Sequence, residues 1–166
     1  MEIYGSTIKT PLGEMAVYAV SSGIVILTYT DRKDFDTFVS SKLKTIGGEV
    51  VKGENEHIAQ LRREMEEYFK GDRKDFSVKT VLFGTPFQIS VWEMLRNIPF
   101  GETVTYSQVA AGAGSPKAVR AVGAANSKNA IEIVHPCHRV VGKSGALTGF
   151  ASGIERKERL LLHEKR

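Results

Sequence analysis

The chain has 166 residues, of which 42% are hydrophobic and 25% charged, a balance typical of folded proteins and sufficient for one ordinary domain or two small ones. No apolar stretch approaches the ~20 residues of a membrane helix, and the N-terminus lacks a signal-peptide apolar region, so we expect a cytoplasmic protein with no membrane partner. The single cysteine excludes an internal disulfide and a zinc site built from several thiolates.

Charge is unevenly distributed along the chain. Residues 1–83 hold 12 basic and 13 acidic side chains, whereas residues 84–166 hold 11 basic and 6 acidic ones, a net charge of +5. A basic half favours an anionic partner, and nucleic acid is the most common large one. On charge alone, the alternative interpretation is that the excess of basic residues is a chance feature of a solvated surface.

The first half has the pattern of a β-rich unit with helices. Short turns separate three strand-like segments, which predict an antiparallel meander: Ile3–Ile8, Met15–Ala19 and Ile24–Leu27. Apolar spacing then predicts helices over 35–43 and 58–69, the second beginning at Asn55 and ending near Gly71. A further strand is predicted at Phe76–Leu82.

Helices dominate the second half, after a predicted domain boundary near Gly84. Two capping boxes open helices, at Thr85–Gln88 and Thr105–Gln108, the first with proline at the first helical position. Further helices are predicted from Ser115–Pro116 to about Asn126 and from Ile154 to His163.

The predicted fold class is therefore α+β, in two domains. Residues 1–83 form a small N-terminal antiparallel-sheet domain with helices, and residues 84–166 a mainly helical, winged-helix-like domain.

A helix over 106–111, a glycine turn and a helix over 116–126 have the layout of a helix-turn-helix. The second helix is unusual for a major-groove reader, because it consists of small residues around one long polar side chain, Arg120. A smooth helix can approach a shallow groove closely, and a single arginine can enter the base stack as a wedge. An alanine-rich core helix with a surface arginine is the alternative.

The sole cysteine, Cys137, lies between Pro136 and the pair His138–Arg139. Proline fixes the backbone before the sulfur, and positive charge beside it favours the nucleophilic thiolate. The segment is predicted to be an extended strand. A buried cysteine that acts as a small hydrophobe is the alternative.

A carboxylate on the last helix, Glu164 or Glu158, would orient His138 and complete a nucleophile–base–orienter relay. A metal site formed by His135, Cys137 and His138 is a further alternative, although such close spacing on an extended segment is unlike the usual ligand patterns.

The segment Pro136–Val140 resembles the methylated-DNA–protein-cysteine methyltransferases, the 6-O-alkylguanine-DNA alkyltransferase repair family. The similarity is strong over about residues 84–166 and loose before them. Further segments stand where the family has counterparts: Gly101–Tyr106, Arg120–Gly123, Asn129 and Leu160–Glu164.

The resemblance implies DNA repair by direct damage reversal. The protein would bind duplex DNA through the minor groove, flip out 6-O-alkylguanine, with 4-O-alkylthymine as a second candidate, and move the alkyl group irreversibly to its own Cys137. It would be a stoichiometric, single-turnover methyltransferase and a monomer without cofactor or metal. Residues 1–83 would be the scaffold and residues 84–166 the DNA-binding and alkyl-acceptor domain.

The resemblance also implies a role for each matching residue. Cys137 would accept the alkyl group, and His138 would be its base through a water molecule, oriented by Glu164. Tyr106 would hydrogen-bond the extruded guanine, and Asn129 would brace the segment before the cysteine.

Other positions would hold the base or the DNA. Backbone groups of Cys137, Val140 and Ala151 would bond the guanine, and the ring of Phe150 would stack on it. Arg120 would fill the gap left in the duplex. Five residues would lie at the DNA surface: Ser107, Ser115, Ala118, Ala121 and Gly123.

Three positions depart from the family pattern. His135 replaces an aliphatic residue, Ala130 a common proline, and Phe150 a frequent tyrosine. We expect changes in local packing or pH response at the first, a looser turn at the second and a lost hydroxyl at the third.

Three rival functions remain open on the residues alone. A helix-turn-helix regulator would bind DNA sequence-selectively without needing Cys137. A cysteine hydrolase would use Cys137, His138 and Glu164 with multiple turnover. A lesion sensor would bind damage without transferring a group.

Overall fold

A four-stranded sheet forms the base of the first unit, Met1–Phe83, in the computed structural model, which describes residues 1–165. Strands β1 (Glu2–Thr10), β2 (Gly13–Val20) and β3 (Gly23–Tyr29) form the predicted antiparallel meander. A fourth strand, β4 (Glu49–Lys52), pairs parallel to β1 and was not predicted. It is four residues long and mostly exposed, so it lacks the apolar alternation that reveals a strand.

Two helices pack against this sheet and match the predicted positions. Helix α1 (Phe35–Ile46) contacts β3, and α2 (Glu56–Lys70) contacts β1, β2 and β3. Asn55 caps α2 by accepting N–H bonds from His57 and Ile58, and Gly71 ends it in the left-handed conformation that glycine adopts without strain.

The strand predicted at Phe76–Leu82 is reduced to a single parallel bridge between Ile24 and Thr80. Ile24 donates to the carbonyl of Lys79 at 2.8 Å and accepts from the N–H of Val81 at 2.8 Å.

The second unit begins at Gly84 and is mainly helical. Both predicted capping boxes are present, at Thr85 and Thr105. Over the described residues 84–165, the unit contains four α-helices and two short parallel strands: α3 (Pro86–Arg96), β5 (Val104–Thr105), α4 (Tyr106–Gly112), α5 (Val119–Ser127), β6 (Val140–Val141) and α6 (Ile154–Glu164).

Helix α5 begins at Val119 rather than at Pro116. The preceding residues form a turn, closed by the bond from Ala118 N–H to Ser115 O at 2.8 Å. The Ser-Pro pair suits the start of a helix and the start of a β-turn equally well, since proline presets the same φ in both.

Trp92 anchors the core of the second unit. The ring is 1% exposed, and its Nε1–H donates to the carbonyl of Ala125 on α5 at 2.8 Å. Val122 and Ala125 are buried on the same helix, so α5 is held by one face while the other remains accessible.

Within residues 1–165, each helix is too short or too polar to cross a lipid bilayer.

Candidate functional site

Helices α4 and α5 contact each other and form the predicted helix-turn-helix. Arg120 lies on the accessible face of α5 and is exposed. The other five positions predicted at a DNA surface are all exposed or half-buried: Ser107, Ser115, Ala118, Ala121 and Gly123. A Cβ built on Gly123 meets no heavy atom within 4 Å, so packing inside the unit does not require glycine here.

A cavity of about 540 Å³ opens beside this helix pair. Tyr106 from α4 and Gly123 from α5 line it together with Phe150 and Ala151, which were predicted to hold the base. The remaining lining residues are Val119, Ser127, Thr148 and Gly149. The volume suits a ligand of the size of a purine.

The hydroxyl of Tyr106 has a defined partner at this cavity. Thr148 Oγ1 donates to it at 2.9 Å. Because the phenol oxygen accepts this bond, its own proton remains available to donate to a ligand.

Cys137 lies in a 3-10 turn, Cys137–Arg139, so the predicted extended strand is wrong at this point. Strand character begins only at Val140, whose N–H bonds back to the carbonyl of Cys137. The thiol is 3% exposed. In a strand, consecutive side chains point to opposite faces. The turn therefore gives the side chains of Cys137 and His138 a different relative orientation from the one that a strand would give.

Two asparagines hold the backbone around the cysteine. Asn129 Nδ2 donates to the carbonyl of His135 at 2.7 Å, and its Oδ1 accepts from the N–H of Ile131 at 3.1 Å. Asn126, at the end of α5, donates to the carbonyl of Cys137 at 3.3 Å. This carbonyl was predicted to accept from the base, and it already accepts from Asn126 and Val140.

Glu164 on α6 joins the histidine and the arginine that follow Cys137. Its Oε2 accepts from His138 Nε2 at 2.8 Å, and the Arg139 guanidinium binds both its oxygens at 2.8 and 3.0 Å. Arg139 also donates to the carbonyl of Ile98 at 2.6 Å. Glu158, the other candidate acid, is exposed.

These contacts and burial determine the protonation states of Glu164 and His138. Burial by itself would raise the pKa of Glu164, but the hydrogen bond from His138 and the hydrogen bonds and charge of Arg139 outweigh it and hold the pKa well below its usual range. Burial lowers the pKa of His138. The imidazole is therefore neutral, its Nε2–H donates to the carboxylate, and Nδ1 is the basic atom.

Burial and, to a smaller extent, the charge of Glu132 raise the pKa of the Cys137 thiol to about 12. A hydrogen bond with Asn129 and the charge of Lys157 act in the opposite direction. Nucleophilic reaction therefore requires a base to take the proton when an electrophile is in place.

Lys157 on α6 connects the thiol to the cavity, and its role was not predicted. Lys157 is fully buried (0% exposed). Burial lowers the pKa of its amine, and the electrostatic interaction with Cys137 acts in the opposite direction. Its Nζ donates to the carbonyl of Thr148 at 3.3 Å and lies 5.9 Å from the ring centre of Tyr106. The spacing of Lys157, Leu160 and Glu164 on one helical face was the available signal.

The departures from the family pattern lie at buried or cavity positions. His135 Nδ1 donates to the carbonyl of Trp92 at 2.8 Å, and burial lowers the pKa of His135 to about 4. Ala130 is buried, and Phe150 is half-buried at the cavity.

No group of three His, Cys, Asp or Glu side chains within residues 1–165 is arranged to hold a metal ion. One ring nitrogen of each nearby histidine forms a hydrogen bond, His135 Nδ1 to the carbonyl of Trp92 and His138 Nε2 to Glu164.

A helix-turn-helix next to a thiol with a histidine–carboxylate pair defines the class of DNA-binding proteins with a nucleophilic cysteine. Two family profiles match the chain: 6-O-methylguanine DNA methyltransferase, DNA binding domain, over residues 86–166, and 6-O-methylguanine DNA methyltransferase, ribonuclease-like domain, over residues 3–82. The chain belongs to this family, which confirms the resemblance noted from the sequence.

Relatives and solved structures match nearly the whole chain. The constitutive methylated-DNA–protein-cysteine methyltransferase of Bacillus subtilis (strain 168) is 40% identical over 98% of this chain and 95% of that protein. The methylated-DNA–protein-cysteine methyltransferase of Methanosarcina acetivorans is 40% identical over 96% of each chain.

A crystal structure of Mycobacterium tuberculosis O6-methylguanine methyltransferase matches with a TM-score of 0.84 at 36% identity, over 98% of this chain and 93% of that one. The structure of M. tuberculosis OGT in complex with DNA matches with a TM-score of 0.83 at 35% identity, over 99% and 93%.

Proposed function

We propose that this protein repairs duplex DNA by moving the alkyl group of 6-O-alkylguanine to the sulfur of Cys137, once per chain. The observation that carries the proposal is the thiol beside the His138–Glu164 pair, linked through Lys157 to the cavity next to the helix-turn-helix. 4-O-alkylthymine is a second candidate substrate.

The reaction is a direct displacement at a saturated carbon. The thiol proton passes toward His138 Nδ1 through a water molecule, with Glu164 stabilising the imidazolium. The sulfur forms a bond to the alkyl carbon as the bond from that carbon to guanine O6 breaks. Tyr106 donates its phenol proton to the departing base, so guanine leaves without a full negative charge. No redox step occurs, and the balance needs no cofactor or metal.

The cavity walls hold the extruded base. Phe150 offers a ring face for stacking, and the N–H of Ala151 faces the oxygen. The carbonyl of Val140, a buried residue outside the cavity wall, accepts from the amino group. Asn129 keeps the cysteine turn in place through its two hydrogen bonds.

The small-residue helix α5 approaches the minor groove, and Arg120 fills the space of the flipped nucleotide. Flipping costs a few kcal/mol, less where alkylation has already weakened pairing. Phosphate contacts of the basic half supply sequence-independent affinity. Contacts to the DNA are assigned to five further residues: Ser107, Ser115, Ala118, Ala121 and Gly123.

Residues 84–166 are the DNA-binding and alkyl-acceptor domain in this proposal, and residues 1–83 the scaffold. We propose that the protein acts as a monomer in the cytoplasm.

A duplex carrying methyl-labelled 6-O-methylguanine tests the proposal. We expect one label per chain, recovered on the peptide that contains Cys137, and none with Cys137→Ala, which still binds DNA. Turnover beyond one equivalent would indicate a hydrolase instead. Sequence-selective binding that is unaffected by alkylation would indicate a regulator, and lesion binding without transfer a sensor.

Arg120→Ala tests the finger separately. We expect slower repair of duplex DNA and an unchanged reaction with free 6-O-benzylguanine. Arg159→Ala, an exposed arginine on α6, is the matched control. Equal losses on both substrates would remove Arg120 from the duplex step.

A further inference from the structure

A buried carboxylate lies in the loop that leads into the cysteine, and the proposed reaction does not use it. Glu132 is 1% exposed. Its Oε2 accepts a hydrogen bond from Ser152 Oγ at 2.9 Å, and both residues are buried. Ser152 directly follows Ala151, the last residue of the cavity wall formed by Thr148–Ala151. One buried hydrogen bond thus joins the cavity wall to the loop before the thiol.

The backbone beside Glu132 is strained. Ile133 has a φ of +71°, a strained conformation that a β-branched residue rarely adopts. Such a conformation persists only where its surroundings hold it. Asn129 bonds this loop from one side, and Glu132 bonds it to Ser152 from the other.

Charged groups from two elements face the thiol. Glu132 comes from the loop and raises the pKa of Cys137, whereas Lys157 comes from α6 and lowers it. The adjacent His138 is neutral and bonded to Glu164.

The Arg139 charge that was predicted to favour the thiolate is instead paired with the same Glu164. Burial is the largest cause of the raised pKa of the thiol, and the charges of Glu132 and Lys157 then shift this pKa in opposite directions.

We propose that Glu132 is a positioning residue for alkyl transfer: its buried carboxylate ties the cavity wall at Ser152 to the loop that carries Cys137. The tether also holds a negative charge in this loop, and that charge disfavours ionisation of the thiol in the DNA-free protein. This inference rests on the proposed function. A protein that reacts once loses its activity to any stray electrophile or oxidant, and thiolates are the reactive form. A carboxylate that restrains the thiol preserves it for the lesion.

Two variants separate the tether from the charge. Glu132→Gln removes the charge but keeps an oxygen that accepts from Ser152. Ser152→Ala removes the hydrogen bond and keeps the charge. Glu93→Gln and Ser90→Ala, both at exposed positions on α3, are the matched controls, and thermal unfolding of each variant records whether it folds.

Two measurements are made from pH 6 to pH 10 on the full chain. Alkylation of Cys137 by iodoacetamide reports ionisation of the thiol without any guanine. Reaction with free 6-O-benzylguanine, measured over a range of concentrations, reports transfer and its half-saturating concentration.

We expect iodoacetamide to alkylate Glu132→Gln about tenfold faster than the wild type at each pH of this range, as for a thiol pKa lowered by about one unit. Ser152→Ala is expected to keep the wild-type alkylation rate and to raise the half-saturating benzylguanine concentration several-fold. An unchanged alkylation rate in Glu132→Gln, or benzylguanine kinetics of Ser152→Ala equal to those of Ser90→Ala, would overturn the inference.

If Glu132→Gln does not fold, Ser152→Ala tests the tether by itself, and a wild-type iodoacetamide midpoint at the ordinary thiol value of about 8.5 would overturn the restraint on the thiol. Failure of the proposed function is distinguishable. In that case the wild-type protein itself would take no benzyl group, while iodoacetamide would still report on the thiol.

Discussion

His138 and Glu164 form a buried hydrogen-bonded pair, with Nε2 of the imidazole 2.8 Å from Oε2 of the carboxylate. The carboxylate fixes the tautomer of the histidine and thereby makes Nδ1 the atom that can accept a proton. The same carboxylate pairs with Arg139, so one side chain on the last helix orders both residues after the nucleophile.

Glu164→Gln is therefore expected to slow transfer about 100-fold, the usual range for loss of an oriented base. It also leaves Arg139 buried without its charge partner, and we expect the free energy of unfolding to fall by about 3 kcal/mol. Single-turnover kinetics and urea unfolding measure the two effects. Glu158→Gln, at an exposed position of the same helix, is the control, and equal behaviour of the two variants would contradict the assignment.

Lys157→Met removes the positive charge that faces the thiol. Because that charge lowers the pKa of Cys137, its loss is expected to raise this pKa and to slow both iodoacetamide alkylation and transfer at pH 7, about tenfold for each unit of the shift. Methionine has a similar length, so packing is largely kept. Lys128→Met, an exposed lysine, is the control. A faster or unchanged alkylation rate would show that Lys157 does not act on the thiol.

Gly123→Ala separates folding from DNA contact. A methyl group meets no neighbour at this position, and alanine is about 1 kcal/mol better than glycine inside a helix. We expect the variant to be more stable by about that amount, yet slower on alkylated duplex DNA, because the added methyl group occupies space at the cavity and the groove-facing surface. Thermal unfolding and duplex repair rates test this. A more stable variant with wild-type repair would remove Gly123 from the interface.

Lowering the pH is expected to reduce the free energy of unfolding, because His135 is held neutral in the folded protein. The folded pKa of about 4 lies below the unfolded value of about 6.5, so the unfolded chain binds more protons between these values. Stability is therefore complete above about pH 6.5 and is lost as pH falls toward 4, by about 3 kcal/mol for this one group. Urea unfolding at a series of pH values measures the slope.

His135→Val restores an aliphatic side chain and removes this source of pH dependence. We expect its unfolding free energy to vary less between pH 6.5 and pH 4 than that of the wild type. The pKa of the buried His138 is also lowered, so part of the pH dependence remains in the variant. Identical slopes in wild type and variant would contradict the assignment to His135.

Local signals in the sequence were sufficient for most elements of the fold. The capping boxes at Thr85 and Thr105 and the Asn55 cap are short-range patterns, so their helices begin where predicted. Strand β4 and the late start of α5 escaped prediction. The first depends on pairing with β1, which is distant in sequence, and the second on a Ser-Pro pair that is compatible with two local conformations.

The amino-acid sequence by itself indicated the family and pointed to Cys137 as the alkyl acceptor, because the motif of a single cysteine between proline and histidine is contiguous in the sequence. Only the tertiary structure decided which charges act on that sulfur. Arg139, adjacent in sequence, is paired with Glu164, whereas Glu132 and Lys157 face the thiol from a loop and from the last helix. Electrostatic effects depend on distance and burial in space, and neither quantity is encoded in spacing along the chain.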